Sequence, residues 1–151
     1  MLIKGFERGR CLLVRLDHGA DIIGQITDLA KEKEIEAGFF SVIGALSRAE
    51  LGYYDQVSQK YGTIQIFDPM ELVYCSGNIS WWNNQPFVHA HAVLSDRKGM
   101  VRGGHLNAGI IFAAELHMQE LVGLAFQEFC DRDVRPARND LGDLLGIHFL
   151  F

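Results

Sequence analysis

The stretch HAHAVLSDRKGMVRGGHL, residues 89–106, decides the fold, because it reads as two strands joined by a tight reversal. Side chains alternate faces along a strand, so Val88, Ala90, Ala92 and Leu94 form an apolar face while His89 and His91 project from the other. Asp96-Arg97-Lys98-Gly99 follows, where Asp favours turn entry and Gly99 takes the left-handed conformation that closes a three-residue loop. With Lys98 near the centre of the reversal, His105 falls opposite His91 and on the same face. A slip of one residue would send His105 to the core side, and the pair Gly103-Gly104 leaves room for a bulge.

Three neutral imidazoles converging from adjacent strands hold a divalent ion. Zinc takes nitrogen ligands at about 2.1 Å, and three histidines with an open fourth position are the arrangement of catalytic rather than structural zinc. Nickel, iron or manganese suits such a set nearly as well. The alternative is a chance His-x-His pair on a half-exposed strand, with His105 an unrelated polar residue beside two glycines. Glu71, Asn78 and Glu115 are polar residues inside apolar runs, which marks them as candidates to support the ligands or face a substrate. Their plainer role is as hydrogen-bonded edge or interface residues.

With 151 residues, 48% of them hydrophobic and 22% charged, the chain is expected to be one folded domain over 1–151. A formal net charge of −5 is the reverse of what a free-standing nucleic-acid binder carries. The densest basic group, Arg132, Arg135 and Arg138, is interleaved with Asp131, Asp133 and Asp140 and reads as a solvated loop. Cys11, Cys75 and Cys130 are widely spaced and form no C-x-x-C pair, which fits a reducing cytoplasm. Cys11 and Cys75 lie in apolar runs and are expected to behave as small buried hydrophobes. His18, His117 and His148 have no partner at ligand spacing. Nowhere do eighteen apolar residues run uninterrupted, and the N-terminus lacks an apolar stretch of signal-peptide length, so neither a membrane span nor export is expected.

Residues 10–16 read as a first strand. Asp21 caps a helix over 21–37 whose apolar Ile22, Ile23, Ile26, Leu29 and Ala30 recur at helical spacing, with Gly38 as its stop. Strand-like runs follow at 39–43, 47–54, 60–67 and 71–80, an antiparallel meander. The apolar run 108–129 is ambiguous between helix and strand, although Gly109 and Gly123 favour interrupted strands. Residues 144–151 read as a returning strand.

The segments SVIGALSRAELGYYD (41–55), ELVYCSGNIS (71–80) and PFVHAHAVLSDRKGMVRGGHLNAG (86–109) resemble, in order, the "plants and prokaryotes conserved" family, also called PPC or DUF296. The resemblance implies an α+β domain, a mainly antiparallel β-sheet with one principal helix packed on it, assembled as a homotrimer. The family's three metal-binding histidines fall on His89, His91 and His105. Plant members carry an AT-hook, Arg-Gly-Arg-Pro, ahead of the domain and act on DNA; here Arg8-Gly9-Arg10 is followed by Cys11 and preceded by Glu7, so the tripeptide is coincidental. DNA binding thus reaches this chain by analogy alone. The H-x-H and later H also look similar to acetolactate decarboxylases, which implies an alternative: a zinc enzyme acting on a small keto-acid or ester-like substrate. The expectation is a metal-binding homotrimer with a regulatory or catalytic role and a small-molecule ligand.

Overall fold

The computed structural model describes residue 3 and residues 5–123. Its elements are β1 (Glu7–Leu16), α1 (Ile22–Glu32), β2 (Gly38–Asp55), β3 (Lys60–Ile66), β4 (Met70–Trp82), β5 (Gln85–Ser95) and β6 (Val101–Val122). Every strand pairing is antiparallel. The order is β1-β6-β5-β4-β2-β3, and a further β6–β2 pairing joins β2, β4, β5 and β6 into a closed circuit. Among the described residues this is the expected α+β architecture, one sheet and one helix.

Asp21 begins the helix as expected: its Oδ1 accepts from Gly24 N at 2.9 Å, while its Oδ2 accepts from Gly109 N on β6 at 3.0 Å. The helix stops earlier than the apolar spacing predicts, at Glu32 rather than Ala37. Glu34 adopts a left-handed φ of 53°. Glu34 N then donates to Lys31 O at 3.1 Å and Ile35 N to Ala30 O at 2.8 Å. The reversal drives Ile35 into the core, where it is fully buried. Gly38 is therefore the first residue of β2, not a helix stop.

The two runs expected at 39–43 and 47–54 are one strand, β2, whose register against β4 shifts between Val42 and Gly44. Gly44 has φ 150°, and a Cβ there would run into the carbonyl oxygen of Ala113. The ambiguous run from Ala108 is strand up to Val122, passing through Gly109 without a break. Along one edge of β6, residues 101–105 pair with β5 and residues 114–122 with β1. The turn before α1 fills the interval, with Gly19 N donating to Ile111 O at 2.8 Å and Ile111 N to Ala20 O at 3.0 Å. The expected strand at 144–151, the Arg132, Arg135 and Arg138 cluster, Cys130 and His148 lie outside the described residues.

One core cluster joins the inner faces. Ile22, Ile26 and Ala30 of α1 are fully buried, and α1 packs against β5 and β6. Each buried isoleucine contributes about 1.5–3 kcal/mol of burial free energy. From β5 the inner face is Val88, Ala90, Ala92 and Leu94, all buried. The histidines therefore stand on the face turned away from core and helix.

Candidate metal centre

The β5–β6 hairpin fixes the register. Gly99 N donates to Asp96 O at 2.9 Å, Gly99 has φ 77°, and Asp96 N donates to Met100 O at 3.0 Å. The Asp96 carboxylate accepts from Lys98 N at 2.8 Å and Met100 N at 2.9 Å, which holds the loop from inside. With the reversal centred on Lys98, His91 lies directly opposite His105. On the other edge of β5, Asn78 is opposite His89 and Ser76 opposite His91.

The three imidazoles form a cluster whose ligand nitrogens lie within 4.8 Å of one another. Ring centroids are 5.2 Å apart for His89 and His91, 5.0 Å for His89 and His105, and 5.4 Å for His91 and His105. Burial, then the neighbouring His89 and His91, pushes His105 down to about 4. Burial, then His91, also lowers His89. Burial thus disfavours the charged form of His89 and His105, and the uncharged form is the state a metal requires of an imidazole ligand. Three imidazole nitrogen donors on a solvent-facing wall fit a first-row divalent ion and leave coordination positions open toward solvent.

Beside the cluster is an open cleft of about 480 Å³, lined by Phe39, Phe40, Ser41, Tyr74, Ser76, Gly77 and Asn78 with His89 and His91. Of the other candidate residues, the structure brings Asn78 into this cleft and leaves two elsewhere. Glu71 is exposed opposite Ser95 and Ala45, seven positions before Asn78 on β4 and so roughly 23 Å away along the strand. Glu115 is exposed opposite Arg15 and Ile43; Ile43 is two positions from Ser41 on β2, so Glu115 lies beyond the β2 edge of the cleft and does not line it. Phe39, Ser41, Tyr74 and Ser76 escaped the sequence reading, because only the cross-strand registers put β4 beside β5 and β2 beyond β4. Phe39 opposite Asn78 opposite His89 is one such row; Ser41 opposite Ser76 opposite His91 is the next.

The same face corrects the view of Cys11. It is exposed, not buried, and its Sγ lies 3.1 Å from His117 Nε2, so His117 does have a partner. Cys75 is buried as expected, and burial raises its thiol to about 12. His18 Nδ1 lies 2.8 Å from the carbonyl oxygen of Phe112, a structural contact.

Comparison with known proteins agrees with this fold. The chain is similar to a plant- and prokaryote-conserved protein of Pyrococcus horikoshii at 36% identity, over 82% of this chain and 86% of that one, with a TM-score of 0.78. It is similar to a metal-containing protein of Archaeoglobus fulgidus at 40% identity, over 83% and 89% of the two chains, with a TM-score of 0.79. A likeness in fold alone extends to α-acetolactate decarboxylase of Bacillus subtilis, at 11% identity over 72% of this chain and 51% of that one, with a TM-score of 0.54. Among curated proteins, 99 residues are 31% identical to the bifunctional protein GlmU of a Synechococcus strain; this is 65% of the chain but spans only 14% of that relative's length. The family model for the Plants and Prokaryotes Conserved domain matches residues 4–122, and with the antiparallel fold and its three-histidine face the chain belongs to that family.

Proposed function

We propose that this domain is a homotrimeric, metal-dependent small-ligand-binding protein of the cytoplasm, in which His89, His91 and His105 hold one divalent ion, zinc before iron, nickel or manganese. The observation that carries the proposal is the set of three ligand nitrogens within 4.8 Å of one another on a solvent-facing wall. A metal-containing relative at 40% identity supports it. A bound ion would supply a Lewis acid with positions open to an incoming oxygen donor. The chain's own groups do the rest. The hairpin fixes where the imidazoles stand, burial disfavours the charged form of His89 and His105, and Ser41, Ser76 and Asn78 offer hydroxyl and amide groups that bind and orient a ligand. Hydroxyls, an amide and aromatic rings favour binding over proton abstraction, so a regulatory or sensing role ranks ahead of turnover of a keto-acid or ester.

Thermal unfolding tests the proposal. Zinc should raise the midpoint of the wild-type protein, chelation should reverse the gain, and His91→Ala should abolish the response while leaving the fold intact. Equal stabilisation of His91→Ala and wild type would contradict the assignment. The family's link to DNA is tested on the same protein: retention on a DNA column that weakens with salt and ignores chelation would favour a nucleic-acid role.

A further inference from the structure

The cleft beside the histidines has a charge pattern that selects its ligand. Among the described residues, no Lys, Arg, Asp or Glu lines it. Three neutral imidazoles cancel none of a divalent ion's charge, so a bound ion keeps both positive charges at the cleft mouth. With no carboxylate in the wall to neutralise them, the incoming ligand is the source of the anion. The wall also carries two aromatic side chains that the fold leaves half in solvent, Phe39 at 51% and Tyr74 at 50% exposure. They stand on neighbouring strands: Phe39 on β2 is opposite Asn78 on β4, and Tyr74 is on β4 itself, opposite Val93. Asn78 lies between Phe39 and His89, and Ser76 lies between Ser41 and His91. The volume, about 480 Å³, is within the roughly 300–1,000 Å³ of small-molecule sites.

We infer that the ligand is a small monoanionic organic acid with a flat apolar end: the carboxylate faces the metal held by His89, His91 and His105, and the apolar end packs between Phe39 and Tyr74. The inference rests on the metal reading above and adds the class of ligand to it. A carboxylate there finds a cation and the Ser and Asn hydrogen-bond donors without a guanidinium or ammonium from the protein. An aromatic ring covers the two exposed rings in offset or edge-on contact. An amine of the same shape would bring its charge against the ion and lose.

Titration of the zinc-loaded protein with phenylacetate, acetate, benzyl alcohol and benzylamine, followed by calorimetry, tests this directly, with zinc content measured on the same samples. Phenylacetate should bind about tenfold tighter than acetate or benzyl alcohol, and benzylamine should not bind. Phe39→Ala and Tyr74→Ala should bring phenylacetate down to the level of acetate with zinc content unchanged. Phe39→Leu, which keeps an apolar side chain, covers the case of a variant that folds poorly and should retain part of the preference. Equal affinity for phenylacetate and acetate with zinc bound would overturn the inference while leaving the metal centre standing. Binding of phenylacetate to metal-free protein as tightly as to loaded protein would overturn it as well. Protein that takes up no zinc would remove the metal reading, and this inference with it.

Discussion

At the scale of single residues, the three imidazoles stand close together and two of them are partly buried. His105, pushed down to about 4 by burial and by His89 and His91, resists protonation in the folded state, whereas an unfolded histidine accepts a proton near 6.5. A depressed folded value means that stability is complete above about pH 6.5 and is lost as the pH falls toward about 4. The metal-free protein should therefore show a flat unfolding midpoint above neutrality and a decline across that window. His105→Ala should flatten the decline, and an unchanged acid profile in that variant would contradict the burial argument. Gly77 offers a second residue-scale check. A Cβ there would meet the carbonyl oxygen of His89 and the ring of Phe40, so Gly77→Ala must push β4 from β5 beside the first histidine. Denaturant unfolding should show a loss of about 1–3 kcal/mol, and zinc uptake should fall with it. Cysteine reactivity separates the two described thiols: a disulfide reagent should modify exposed Cys11 in the native protein and reach buried Cys75, its thiol raised to about 12, only after unfolding.

At the scale of elements, Asp21 ties helix to sheet with one carboxylate, capping α1 through Gly24 N and holding β6 through Gly109 N. Asp21→Ala should lose roughly 1–3 kcal/mol by chemical denaturation, more than an isolated cap, because Gly109 N is left part-buried without its acceptor. The hairpin was legible because local chemistry encodes it: alternation fixes the faces of His89 and His91, and Asp96 with Gly99 fixes the loop, so the partner of His91 follows from counting. The helix start was legible for the same reason. Its end was not, since Glu34 in a left-handed turn carries no glycine to announce it. The single long β2 was not legible either, because Gly44 reads as a break in the sequence and becomes a bulge only when Ala113 packs against it. The cleft was least accessible, for Phe39 and Ser41 join the histidine face only through the β2–β4 and β4–β5 registers.

At the scale of the whole molecule, the outer face of the sheet carries apolar side chains that the monomer leaves in solvent: Leu13 is 80% exposed, Ile43 54% and Val73 52%. Exposed apolar surface of this kind favours association between copies, in keeping with the proposed homotrimer. Light scattering on the eluting protein should give three times the chain mass of 17.0 kDa, and a monomer across the concentration range would contradict the assembly. The closed circuit of β2, β4, β5 and β6 carries the three imidazoles on paired strands, so the proposed metal centre would be preformed by the fold rather than gathered by the ion. Elemental analysis of untagged protein, loaded with zinc and dialysed, tests that centre most directly. The account predicts about one ion per chain in the wild type and none in His89→Ala, His91→Ala or His105→Ala, each still folded. Zinc retained equally by all four proteins would contradict it.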